Sequence, residues 1–236
     1  SHTGEFWQFE DMRLQLKSYQ QPRLPMALPT TGGLESLDLA ARHDMELWTP
    51  CGLNRPGDGV FTQFWSNFED ACGQHGKTAN RDNWHLVSSF YLAESREEAW
   101  ADVRDGIMRE TGYFLSIGFK PLYQSYPDQP TSEITAESAV ERRDWVVGTP
   151  DDAVAWIEKK IEQNGQFGGV MLTTHEWAGS DKLKRSLELF ARYVIPHFNS
   201  GRYNYREEAE ALAQQYSEHG EVPLDTVHKK SSLATE

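Results

Sequence analysis

Residues 148–178 read GTPDDAVAWIEKKIEQNGQFGGVMLTTHEWA, the clearest helix-then-strand signature in the chain. Thr149 stands at a helix N-cap, and Pro150 occupies the first helical position, where a missing N–H costs nothing. Asp152 follows three residues after the cap, the spacing of a capping box. Val154, Ile157 and Ile161 share one helical face, and Asn164 and Gly165 end the helix. The apolar run 168–173 then reads as a strand buried on both faces of a parallel sheet.

Working upstream, the same unit recurs. A short apolar run at 24–28 precedes the turn TTGG (30–33), and Leu34, Leu37 and Ala41 then follow helical spacing. A second strand is expected at 45–49, interrupted by Pro50, Gly52, Pro56 and Gly57. Phe61, Phe64, Phe68 and Cys72 line one face of the next helix, which stops at Gly76. A β-rich run at 84–92 leads to a helix with Ser95 as N-cap and Glu98 completing a capping box. Downstream, Leu183, Leu187, Phe190 and Val194 mark the inner face of a last helix that ends at Pro196. Strands near 24–28, 45–49, 84–92 and 167–173 alternating with helices predict a parallel α/β fold.

Three segments stand outside this alternation. Residues 4–17 alternate around Glu10 and Asp11, with Phe6, Trp7, Phe9, Leu14 and Leu16 on the flanks, and predict a β-hairpin within an insert over 1–23. Pro22, Pro25 and Pro29 exclude a helix after it. Residues 112–146 are aromatic and Pro-containing, and predict either a mobile active-site insert or a structural excursion. Residues 200–236 predict a polar extension beyond a domain over 1–199, helical around 205–218 and disordered at its end.

Composition narrows the function classes. Lys+Arg 23 against Asp+Glu 36 gives a net charge of −13, which argues against a basic nucleic-acid face. No run reaches the roughly 18 apolar residues of a membrane span, and the opening residues show no basic-then-apolar leader pattern. Two cysteines, Cys51 and Cys72, build no disulfide framework and fit the reducing cytoplasm.

In parallel α/β folds ligands collect at the carboxyl ends of strands. That rule selects Thr31, Gly32 and Gly33 after the first strand, where small residues opening a helix let backbone N–H groups approach a phosphate; Ser36 could add a hydroxyl. Trp48 and Thr49 end the second strand. His175 and Trp177 follow the last, His175 as a group able to exchange a proton near neutrality, or as a histidine satisfied by its own fold. Trp48 and Trp177 are aromatic pocket walls or packing groups. His43, His197, His219 and His228 show no metal spacing, so no metal site is expected. The common nucleophile, zinc and nucleotide-loop motifs are missing.

Residues 2–44, 84–104, 146–172 and 174–198 together resemble the bacterial luciferase-like flavin monooxygenase family, nearest its limonene-monooxygenase-type branch. The shared features are the His2-x-Gly4-x-x-Trp7 hairpin, the Gln-Pro-rich lead-in, the VGTPDD helix start and the late HEWA. The resemblance implies a (β/α)₈ TIM barrel, and an enzyme that takes reduced FMN from a separate flavin reductase and uses dioxygen to oxygenate a small organic substrate. It places Thr31, Gly32, Gly33 and Ser36 at the flavin phosphate and ribityl chain, and Trp48 and Thr49 toward the ring. His175 and Trp177 fall beside the same pocket, with His175 as the catalytic candidate and Trp177 against the substrate. Where the family often has a serine this chain has Gly33, which favours a backbone contact. Only the C-terminal half of such a barrel, about four βα units, is expected here. The chain opens on Ser1, and an N-terminal half-barrel, in the same polypeptide or another chain, is expected to complete it, within a homo-oligomer. The alternatives are a deazaflavin or flavin oxidoreductase of the same superfamily, a non-catalytic half-barrel subunit, and a sugar- or phosphate-metabolising barrel.

Overall fold

The computed structural model describes residues 1–13, 15–21, 23–53 and 60–199, with backbone only at 60 and 62. The expected 200–236 extension, Leu14, Pro22, Pro56, Gly57, His219 and His228 lie outside the described residues.

Parallel pairing of strands separated by helices organises the chain. Strand β3 (Ala27–Pro29) leads to α1 (Leu34–Arg42), β4 (Glu46–Pro50) to α2 (Val60–Gln74), and β5 (Trp84–Leu92) to α3 (Arg96–Ser116) and α4 (Ala136–Arg142). Then come β6 (Val146–Gly148), α5 (Pro150–Asn164), β7 (Gly169–Thr173), α6 (Ser180–Leu189) and α7 (Ile195–Asn199). The main sheet runs β3-β4-β5-β7, all parallel, and β6 pairs with the carboxyl end of β5. Among the described residues the outer edges of β3 and β7 have no strand partner. No described helix is long and apolar enough to cross a membrane.

Two apolar clusters hold this sheet. In the first, Trp84 is fully buried and stacks on Phe64 and Trp65 at ring distances of 5.6 and 5.2 Å. Phe68 and Cys72 extend that face of α2, as their spacing predicts, with Ala71 beside them. Cys51 packs in the same cluster, and burial pushes its thiol up to about 12, so it serves as an apolar filler. In the second cluster, Ala99, Val103 and Ile107 of α3 meet Tyr123, Ile134, Ala139 and Trp145. The 112–146 segment therefore contributes Tyr123, Ile134, Ala139 and Trp145 to the core.

The capping chemistry of 149–165 is present as read. The Asp152 carboxylate accepts the Thr149 backbone N–H at 2.9 Å, Pro150 opens α5, and Gly165 takes φ 75° at its end. Arg81 Nη1 donates to the carbonyl of Asn164 at 2.6 Å, placing a cation at the helix C-terminus. Ser95 Oγ likewise accepts the Glu98 N–H.

Several expectations shift. The N-terminal hairpin pairs β1 (His2–Thr3) with β2 (Gln8–Phe9) around a turn closed by Gly4 N–H to Trp7 O. It sits earlier than 4–17, because that turn, not the polar pair Glu10 and Asp11, reverses the chain. Strand β7 is parallel but only half buried, since among the described residues one of its faces carries no covering layer. The last helix does not stop at Pro196. A π turn at Phe190–Val194 widens the helix just before it, which relieves the clash a proline ring causes. Its inner face is Ser186, Leu189 and Val194, with Leu187 at 40% exposure. Ser186 belongs there because its Oγ accepts the buried Leu92 N–H at 2.8 Å.

Asp152 also receives a forked contact from Arg96, at 3.0 Å from Nε and 2.5 Å from Nη2. Hydrogen bonding to Arg96, and then to Thr149, holds its carboxyl down from 3.8 to about 2 against the opposing effect of burial. A depressed folded-state value contributes stability that is complete above pH ~4 and is lost as pH falls towards 2. Acid unfolding followed by circular dichroism should show that loss, and Asp152→Asn should flatten the pH dependence in this window.

Candidate active site

Strand register sorts side chains onto two faces. Leu28, Leu47, Thr49, Trp84 and Leu86 turn to the helices, where the aliphatic and aromatic members join the first cluster. The alternate residues form rows on the opposite, uncovered face. Pro29, Trp48, His85 and Gly169 align in one row, and Pro50, Val87 and Met171 in the next. Ser89 and Thr173 pair at the carboxyl end. Most of these side chains are half buried.

The carboxyl end of β3 passes into the loop before α1. Thr30 N–H donates to Trp48 O at 3.0 Å, and Gly32 N–H donates to Thr30 Oγ1 at 3.1 Å. Gly32 has φ 102°, and a Cβ there would stand 2.9 Å from the Phe64 ring; only glycine makes this bend without strain. Gly33 is the N-cap of α1 and offers no side-chain acceptor to the helix N–H groups. A Cβ at Gly33 would meet only Ser36 Oγ, at 3.8 Å. Thr31 is exposed. The loop thus gathers Thr31, Gly32, Gly33 and Ser36 at one strand end, with α1 N–H groups that no cap side chain satisfies.

His175 follows β7, on the same carboxyl-end side of the parallel sheet. Its Nε2 lies 2.8 Å from Ser89 Oγ and its Nδ1 2.8 Å from Glu110 Oε2. Trp177 Nε1 donates to the same Glu110 oxygen at 2.8 Å, and its ring stacks on the imidazole at 4.6 Å with planes 10° apart. Trp145 closes on His175 at 5.4 Å. Gly106 permits the arrangement: a Cβ there would stand 2.1 Å from Trp177 O. Glu110, one turn on, therefore reaches beneath the histidine.

The remaining sequence candidates separate. Trp48 lies on the uncovered face. Thr49 does not: it is fully buried on the helix side and its Oγ1 accepts the Trp84 indole N–H at 2.9 Å. Alternation along β4 turns it there, so its role is packing. Trp177 is 4% exposed and supports His175 from behind rather than lining an open wall. Ser89, Thr173 and Glu110 were not singled out from sequence; Ser89 and Glu110 lie 86 and 65 positions from His175. Nearby, Arg143 places its guanidinium 5.3 Å from the Trp145 ring and 5.7 Å from that of Tyr123. Among the described residues its Nε and Nη1 are buried without a hydrogen-bond partner, and burial pulls its pKa down. Among the described residues no cluster of three metal-ligating side chains occurs. A cavity of about 810 Å³ lies elsewhere, on the outer surface between α1 and α2, lined by Leu34, Asp38, Arg42 and Asp70 among others.

This geometry can be set beside known proteins. No protein-family model matches the chain. Its sequence is 29% identical over 202 residues to 4-hydroxyprotoasukamycin monooxygenase of Streptomyces nodosus subsp. asukaensis, covering 84% of this chain and 53% of that protein. It is 30% identical over 161 residues to limonene 1,2-monooxygenase of Rhodococcus erythropolis, covering 68% and 40%. The chain is thus similar in sequence to two proteins named as monooxygenases. It spans about half the length of the curated relatives it matches. Monooxygenase RslO1 from Streptomyces bottropensis shares its fold at a TM-score of 0.56 and 21% identity, covering 81% of this chain and 55% of that one. So does the oxygenating constituent of 3,6-diketocamphane monooxygenase from Pseudomonas putida, solved with FMN, at 0.55 and 19%, covering 71% and 46%.

The packing role of Thr49 is open to test. Thr49→Val leaves the Trp84 indole N–H buried without an acceptor, which should lower stability by about 1–3 kcal/mol. Urea unfolding measures this loss, and flavin affinity should stay at the parent value.

Proposed function

We propose that this chain is the C-terminal half of a luciferase-like (β/α)₈ barrel whose complete protein is a flavin-dependent monooxygenase. The observation that carries this reading is the meeting of two features on one end of the sheet: the uncapped α1 N-terminus with its Gly32–Gly33 loop, and the Glu110–His175–Ser89 network. The open sheet edges support a second half-barrel that pairs with β3 and β7. The exposed Phe6, Trp7, Leu16 and Tyr19 support further burial against that half or against a second subunit of a homo-oligomer.

The residues present suit FMN. An anion fits the N-cap of α1, where Gly33 carries no side chain and the first helical N–H groups have no side-chain acceptor. Thr31, Gly32, Gly33 and Ser36 would hold the phosphate and ribityl chain, and Trp48 would lie toward the ring system. Reduced FMN, when bound, supplies the electrons for activating dioxygen. The chain's own residues bind and orient it, keep water from the apolar rows, and hold a proton at His175. Trp177 keeps His175 in place. A flavin reductase would deliver the reduced cofactor, and a small organic molecule would occupy the remaining pocket. The curated relatives are both monooxygenases by name, which favours oxygen transfer over hydride transfer. Two unpaired cysteines, Cys51 and Cys72, both buried, suit the reducing cytoplasm.

Anaerobic titration of reduced FMN into the complete protein, followed by oxygen uptake with a panel of small organic substrates, tests the reading. Binding and substrate-stimulated oxygen consumption are expected; no flavin binding overturns it. Gly33→Asp should weaken FMN affinity about tenfold or more, because its carboxylate faces the phosphate. The same aspartate is a good helix N-cap, so stability should not fall, and the loss of affinity is separable from unfolding.

A further inference from the structure

The hydrogen bonds around His175 continue in one direction to the uncovered face. Thr173 Oγ1 and Ser89 Oγ are 2.6 Å apart, Ser89 Oγ and His175 Nε2 2.8 Å, and His175 Nδ1 and Glu110 Oε2 2.8 Å. Serine, histidine and a carboxylate in this order resemble an acyl-transfer triad. Burial decides against that chemistry. Ser89 is 1% exposed, and its oxygen is engaged on both sides, by Thr173 and by His175. Thr173 is the exposed member, at the end of its strand and on the face where a ligand would lie.

Building on the flavin monooxygenase reading, we infer that Thr173, Ser89, His175 and Glu110 form a proton relay, with Thr173 as the group that touches the ligand. Donor and acceptor chemistry fixes its polarity. The Glu110 carboxylate only accepts, so His175 carries its proton on Nδ1. Nε2 then accepts from Ser89, and Ser89 Oγ accepts from Thr173. The free lone pair of Thr173 is left for an acidic X–H group of the ligand. In uptake, the X–H bond breaks and its proton passes to Thr173 Oγ1. The former Thr173 proton moves to Ser89, and that of Ser89 moves to Nε2. The ligand keeps the electron pair, and His175 becomes an imidazolium against Glu110. Reversal returns the proton, and nothing is oxidised or reduced.

His175 is thus a proton store behind the wall, and Ser89 and Glu110 are positioning residues. The groups around it are Glu110 on α3, Ser89 on β5, and the Trp145 and Trp177 rings. Arg143 and Tyr123 stand within electrostatic reach of Glu110.

Two measurements test the relay. Imidazole ¹⁵N NMR of the complete protein, with His175 assigned by His175→Gln, should find the neutral ring protonated on Nδ1. Thr173→Val should leave this tautomer in place. A proton on Nε2 overturns the relay. In the complete flavin-loaded protein, Thr173→Val should cut kcat about tenfold or more with FMN affinity unchanged, and Thr173→Ser should restore most of it. Parent-like turnover by Thr173→Val also overturns the relay. If the complete parent protein binds no FMN, the flavin reading fails, and the tautomer still decides the relay.

Discussion

Nine residues of β5 form ladders with β4, β6 and β7, and this shared strand sets the position of everything else. Pleating sends Trp84, Leu86, Phe90 and Leu92 into the helix layer, and His85, Val87 and Ser89 onto the uncovered face. The helix side is held by dense aromatic packing around Trp84, which also binds β4 through the Thr49 hydroxyl. A one-residue slip would drive Ser89 into that aromatic layer and Trp84 into the open. The register that builds the core is therefore the register that puts a hydroxyl beneath His175.

Support for His175 comes from parts of the chain far apart in sequence. Glu110 arrives from the fourth turn of α3, and its reach depends on Gly106 letting the helix lie against the Trp177 backbone. Trp177 adds an indole N–H to the same carboxylate and a parallel ring to the imidazole. Few freely rotating groups are left at this site. The ring of His175 is fixed in plane by stacking and in tautomer by two hydrogen bonds, the arrangement that gives a proton carrier a defined direction.

Local chemistry was readable where it acts within one turn of a helix. The cap at Thr149, Pro150 and Asp152, the stop at Gly165 and the apolar face of α2 followed from spacing alone, and the alternation of strands and helices gave the parallel order. Long-range chemistry was not readable. The buried position of Ser186 depends on the orphan N–H of Leu92, so an apolar count placed Leu187 inside instead. Pro196 looked like a stop because a π turn has no sequence mark. Strand β6, three residues long, hid inside the approach to the VGTPDD helix start. Thr49 and Trp48 are neighbours at a strand end, and only the pleat assigns one to the core and the other to the open face. The residues that hold His175 leave no local pattern.

The uncovered face has a chemical gradient along the strands. Its middle row is apolar, with Pro50, Val87 and Met171, and its carboxyl end carries the hydroxyls of Ser89 and Thr173. Backbone groups along the outer edges of β3 and β7 make no strand contact among the described residues, and unpaired edges favour the addition of further strands. Strands that pair with these edges satisfy the backbone and exclude water from the apolar row in the same step. Pairing at these edges and the dryness of the apolar row above β5 are therefore linked, and Thr173 stands as the exposed polar group at the rim of that row.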